Sequence, residues 1–322
     1  MAASEADLSR VRTVPFAARD NRVGPAQFAT PPGDDRSFTA FIDSLPNALA
    51  AAQLRQTIDH LAAATRARRG VILLLGGHVI KTGLVPLLID AIRRGIVSHI
   101  AMNGAAAIHD FELARFGGTS EDVEAGLADG SFGMVEETGR EMNEAIRLGA
   151  EREQGLGEAL AMAIPPPTPT AGTMPRSLLV ACREHGIGVT VHPTIGADII
   201  HQHAGFDGAA LGATAARDFR RLAGALPTLH DGGAVLNLGS AVVMPEVFLK
   251  TLTVARNLGN GAPRDFLAAD FDMIRHYRPR LNVVDRPTRA GGVGYQFTGH
   301  HEVMLPLLFW GVVTALDAAG PA

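Results

Sequence analysis

The chain has 322 residues, of which 47% are hydrophobic and 36 are glycine, with a formal net charge of −4. This length suits two domains or one large α/β domain, and the hydrophobic fraction is ample for a full core. The weak acidity carries no electrostatic footprint for nucleic acid or an anionic membrane surface. The single cysteine, Cys182, excludes an intramolecular disulfide and any multi-cysteine metal site.

In chain order, residues 1–36 are polar, carry proline and glycine, and read as a loosely ordered arm, with 37–322 as a single α/β domain. Residues 37–69, rich in Ala, Leu, Arg and Gln, read as helices. The pattern then predicts a buried strand over 71–75, a helix over 79–94 stopped by Gly95, a strand over 97–102 and a helix over 105–116. A further helix is expected near 134–150. The proline-rich stretch 164–175 suits neither helix nor central strand and reads as a long loop. Alternation resumes with helix 176–185, strand 188–192, helix 208–225, strand 233–238, helix 245–258, strands near 266–270 and 280–284, and helix 301–317. Short apolar strands alternating with helices predict a doubly wound, mostly parallel sheet covered on both faces. No apolar run approaches the roughly 18–20 residues that span a bilayer. The N-terminus lacks a secretory signal, so a cytoplasmic location is expected.

Ligands of such sheets bind outside the carboxyl ends of the strands, and polar groups gather at those predicted ends. Gly76-Gly77-His78 follows the first strand and Asn103-Gly104 the second, with His109-Asp110 beyond; His192 opens the segment HPTIGADIIHQH; Asn237-Leu238-Gly239-Ser240 closes the fourth strand. The turns Gly76-Gly77 and Gly239-Ser240 can present backbone N–H groups to a pyrophosphate, although neither is a strict dinucleotide or Walker motif. His192, Asp198, His201 and His203 have the right donor types for a divalent metal. Their spacing matches no established metal motif, because Asp198 and His201 share a helical face at i, i+3 while His203 points elsewhere. A histidine base, oriented by Asp198 or Asp231 or working beside an aspartate that binds a cationic amine, suits these residues better. Cys182 reads as a small core residue, and Arg115, Arg217, Arg220 and Arg221 as solvated helix faces.

Four stretches in this order resemble the deoxyhypusine synthase family: VILLLGGHVIKTGLVPLLIDAIRRGIVSHIAMNGAAAIHDFELARFGG, HPTIGADIIHQHAGFDGAALG, LNLGSAVVMPEVFLKTLTVARNLG and GHHEVMLPLLFWG. The resemblance spans 70–310, and MNGAAAIHDFE is its most specific piece. It implies a Rossmann-like NAD-binding domain, a homotetramer with active sites between paired subunits, and oxidation of a polyamine with NAD followed by transfer of its aminobutyl group through a lysine imine. It places Asn103, Gly104, His109 and Asp110 along the NAD cleft. Gly239 and Ser240 would approach the nicotinamide or its phosphates, and His300, His301 and Glu302 would lie near the adenosine end. Asp198 with His201 or His203 would take the amine-binding and proton-transfer roles.

The chain departs from that pattern in two places. Where the resemblance implies the imine-forming lysine, the residue is Met244, and a thioether cannot form an imine. The only lysines are Lys81, in the helix after the first strand, and Lys250, about 9 Å of helical rise beyond Met244. The family's tryptophan-containing substrate motif also has no counterpart in VVDRPTRAGGVGYQF. The expectation is therefore NAD-dependent chemistry on a small amine without transfer to a protein lysine. The alternatives are a nucleotide-binding protein without turnover, and a metal-dependent hydrolase or lyase built on the histidines.

Overall fold

The computed structural model describes residues 3–165 and 177–318, so most of the loop expected over 164–175 lies outside the described residues. Six strands form one sheet: β1 (Val71–Leu75), β2 (His99–Asn103), β3 (Gly188–His192), β4 (Ala234–Leu238), β5 (Phe266–Asp272) and β6 (Gly292–Thr298). Their order is β3-β2-β1-β4-β5-β6 and every pair is parallel. This is the strand order of doubly wound dinucleotide-binding sheets, with the topological switch between β1 and β4. The fold is thus Rossmann-like α/β. Parallel strands buried on both faces read as continuous apolar runs, and all five residues of β1 are buried.

Helices α1 (Phe38–Ser44), α2 (Leu49–Arg66), α3 (Gly77–Lys81) and α4 (Val85–Arg93) precede β2. After it come α5 (Gly104–Arg115), α6 (Val123–Asp129), α7 (Glu136–Glu151), α8 (Leu156–Ala163) and α9 (Leu178–His185). Then follow α10 (Gly208–Ala225), α11 (Val243–Leu258), α12 (Arg286–Thr288) and α13 (His301–Ala318). Val71, Leu73 and Leu75 point into one core with Leu236, Leu238 and Phe271, beneath α4, α5, α9 and α13. Ile72 and Leu74 point into the other, with Val235 of β4, Leu222 of α10, and Met244 and Phe248 of α11. Each such fully buried side chain contributes about 1.5–3 kcal/mol.

Three elements differ from the sequence pattern. The helix expected over 79–94 is two helices, because Gly83 takes φ +80 and breaks the run. The strand expected near 280–284 is instead a π-helical segment, Pro279–Asp285, that buries Val283 and Val284 against the sheet. The strand that does follow β5 is β6, an edge strand whose glycines and polar residues hide it from an apolar-run reading. A Cβ on Gly294 would lie 2.7 Å from Val284 Cγ1, so glycine there lets the π-helical segment lie against the strand.

Among the described residues, α13 alone is long and apolar enough to cross a membrane by length and composition, with a mean hydropathy of 1.2. The expectation that no run reaches that length is corrected to this extent. The helix buries Leu305, Leu308, Phe309 and Val312 and packs along α2, while Val303 and Trp310 stay exposed.

Candidate functional site

Elements meet at the switch point with little room to spare. The Gly76 N–H donates to Leu238 O at 2.9 Å and the Gly239 N–H to Phe271 O at 3.0 Å, so both extend the sheet ladder. A Cβ on Gly76 would lie 2.0 Å from Gly239 O. The glycines are needed here for backbone-on-backbone approach, and their own N–H groups are already used. Ser240 Oγ accepts from the Met244 N–H at 3.2 Å, and the Met244 side chain is fully buried in the core beneath α11. His301 is fully buried; its Nε2 lies 3.1 Å from Phe271 O, its Nδ1 has no partner among the described residues, and its ring stands 5.6 Å from that of His78. His300 and Glu302 are exposed at the start of α13, 3.9 Å apart.

Beside this crevice, a cavity of about 680 Å³ opens over the start of α5, within the usual size range of ligand pockets. Its wall contains His109 and Glu112 of α5, Thr119 and Thr138, Asp198, and Lys81 from the end of α3. His109 and Glu112 share a face of α5 at i, i+3. His109 Nδ1 lies 2.7 Å from Thr119 Oγ1, and Thr119 Oγ1 donates to Glu112 Oε2 at 2.5 Å. The second oxygen of Glu112 accepts from Thr138 Oγ1 at 2.9 Å. Burial, with the Lys81 charge, pushes the His109 imidazole down to about 4, so it is held neutral at ordinary pH.

Asp198 reaches the same cavity from the β3 side. Its Oδ2 accepts from the Thr194 N–H at 2.9 Å, and a Cβ on Gly104 would lie 2.0 Å from that oxygen. Burial raises the Asp198 carboxyl above its ordinary value. Asn103 is used structurally: its Oδ1 caps α5 by accepting from the Ala106 N–H at 2.9 Å. Asp110, next to His109 but on another face, is fully buried and accepts from Ser177 Oγ and from the Leu178 and Leu179 N–H groups. It pins the start of α9, and burial lifts it to about 6.

The histidines of 192–203 do not converge. His192 is buried with Nε2 3.1 Å from Thr190 Oγ1, and burial holds it down near about 3. His201 accepts from the Gly196 N–H through Nδ1 at 3.2 Å and packs on Phe206 with ring centroids 4.8 Å apart. His203 Nε2 lies 2.9 Å from Gly133 O. Of Asp198, His201 and His203, only Asp198 lines the cavity. Among the described residues no three His, Cys, Asp or Glu side chains are grouped to hold a metal. Asp231, the alternative orienting acid, pairs with Arg69 before the start of β4, at the opposite end of the sheet.

Lys81, set aside from the sequence, lines the cavity, whereas Lys250 pairs with Glu246 on α11. Glu112, Thr119 and Thr138 were missed. The i, i+3 spacing from His109 was the readable signal for Glu112; the threonines come from a loop and another helix and carried none.

No protein-family model matches the sequence, and no curated protein matches it either. Solved structures similar to it at low identity include a deoxyhypusine synthase candidate from Entamoeba histolytica, at 11% identity and a TM-score of 0.48, covering 86% of this chain and 93% of that one. A conserved LOR/SDH protein candidate from Methanococcus maripaludis S2 is 16% identical at a TM-score of 0.47, covering 82% and 69%. AgrE, solved with ornithine and NAD+, is 16% identical at 0.47, covering 84% and 33%. The chain spans about a third of the length of AgrE and of the cyanobacterial arginine dihydrolase ArgZ.

Proposed function

We propose that this chain is a deoxyhypusine-synthase-like, NAD-dependent enzyme that oxidises a small amine in the cavity beside His109, without passing any group to a protein lysine. The observation that carries this reading is the placement of a neutral, anchored histidine on the wall of that cavity. Carboxylates outnumber ammonium groups around it, with Glu112, Glu121, Glu137 and Asp198 against Lys81, which favours a cationic ligand.

The donor set fits a dinucleotide in part. The strand order and switch point are those of nucleotide-binding sheets, and the cavity carboxylates suit ribose hydroxyls. Because the Gly76 and Gly239 N–H groups are used in the ladder, the phosphates would rely on the Gly77 and His78 N–H groups and on Lys81. NAD, when bound, supplies the hydride acceptor. Asp198 holds the substrate ammonium, losing less by burial once a cation pairs with it. His109 removes a proton from the amine as it is oxidised. Met244, packed in the core, takes no part. The same reading carries the family's homotetramer.

Calorimetric titration of NAD into the purified full-length protein, followed by an absorbance screen for NADH formation over a panel of amines, tests this. Binding with amine-dependent reduction is expected. Absence of NAD binding contradicts the reading, and tight binding with no turnover on any amine would make the protein a nucleotide sensor.

A further inference from the structure

We infer that Glu112 and Thr119 form a built proton relay that fixes His109 with its proton on Nδ1, leaves Nε2 as the base, and receives the substrate proton. This rests on the cavity being the active site. Glu112 is buried, and an ionised carboxylate can only accept hydrogen bonds. Both of its oxygens are engaged, one by Thr119 Oγ1 and the other by Thr138 Oγ1. The single hydroxyl proton of Thr119 is spent on Glu112, so Thr119 can meet the His109 ring only as an acceptor. Nδ1 must therefore carry the proton. Among the described residues the ring bonds through Nδ1, which leaves Nε2 free of protein partners.

The relay answers a difficulty that the site sets for itself. A base beside Lys81 in a half-buried wall would form an imidazolium at high cost. With the relay no such cation need persist. As Nε2 gains the proton lost by the amine, the Nδ1–H bond breaks and its proton passes to Thr119 Oγ1, whose own proton passes to Glu112 Oε2. The imidazole ends neutral with its proton on Nε2, and the carboxylate ends as a carboxylic acid. An ammonium that gives up this proton, and whose hydride bound NAD would accept, becomes the protonated imine. Glu112 and Thr119 are positioning residues here, since neither need touch substrate. A carboxylate that fixes a histidine tautomer has the same role in serine-hydrolase sites.

The direct readout is the tautomer of His109 in nitrogen-15 histidine-labelled full-length protein, from long-range proton–nitrogen correlation spectra with no nucleotide present. The wild type is expected to show Nδ1–H. Glu112→Leu removes the acceptor, so the Thr119 proton is free to face Nδ1 and the ring should switch to Nε2–H. Thr119→Ser should keep the wild-type tautomer, and Thr119→Val should lose it. A wild-type Nε2–H ring, or a tautomer unmoved by Glu112→Leu, overturns the relay. If that variant does not fold, the Thr119→Ser and Thr119→Val pair decides. In turnover, Thr119→Val should lower kcat roughly 10²-fold with KM unchanged, and Thr119→Ser should restore it. Failure to bind NAD would remove the functional reading, while the spectra decide the relay on their own.

Discussion

Two histidine-bearing segments sit at neighbouring carboxyl ends of the sheet, 103–119 after β2 and 192–203 after β3, and only the first puts a histidine on the cavity wall. Histidines are dense in the second, yet each has a local occupation: His192 at Thr190, His201 at the Gly196 N–H, His203 at Gly133 O. The first holds one histidine. Its Nδ1 is anchored through Thr119 to a buried carboxylate, and its ring lies on the cavity wall. His201 also keeps an unpartnered Nε2; what sets His109 apart is its place on the cavity wall, and sequence density does not report that.

Four substitutions break or sharpen this contrast. The largest effect is expected from Gly104→Ala, where the new Cβ would overlap Asp198 Oδ2 at 2.0 Å. It should abolish amine binding and cost about 1–3 kcal/mol in urea unfolding. Asp198→Asn should raise KM for the amine about 10–100-fold, as for a lost hydrogen bond to a charged group, while calorimetric NAD affinity stays unchanged.

A smaller effect concerns Asp218, which accepts from the Val191 and Gly157 N–H groups and ties β3 to α8. Burial raises it to about 7, so the folded state holds its proton more tightly than the unfolded chain. That contribution to stability is complete below the unfolded value near about 4 and is lost as pH rises through about 7. His99 and His192, held down to about 4 and about 3 by burial, act in the opposite sense and lose stability as pH falls below about 6.5. The difference in urea midpoint between wild type and Asp218→Asn, followed from pH 4 to 7, isolates the aspartate, and the wild type should lose ground to the variant across that window. The smallest effect is expected for Arg115→Ala. Its 2.7 Å pair with Glu141 is half-buried, and its loss should cost about 1 kcal/mol with turnover unchanged.

Much of the sheet was legible because a strand buried on both faces must be an apolar run; β1 and β3 fall at the residues the pattern predicts. The edge escaped for the converse reason. β6 is half-exposed and glycine-rich, while Leu281-Asn282-Val283-Val284 has strand chemistry but packs as a π-helical segment under its neighbours' constraint. At the site, Asp198, Gly104 and His109 were readable from their place at strand ends. Thr119 and Thr138 were not, since they meet Glu112 through tertiary packing across 7 and 26 residues of chain. Lys81 was not readable as a site residue, because nothing in the sequence shows that α3 ends at the cavity.

The most direct test of the central claim is a paired measurement of kcat and melting temperature for His109→Gln and His203→Gln, with NAD and the best amine substrate. The account predicts a loss of roughly 10²–10⁴-fold in kcat for His109→Gln, measured below its melting temperature. For His203→Gln it predicts near wild-type turnover and a lowered melting temperature, from loss of the bond to Gly133. Full activity in the first variant with loss of catalysis in the second would move the chemistry to the 192–203 segment and contradict the account.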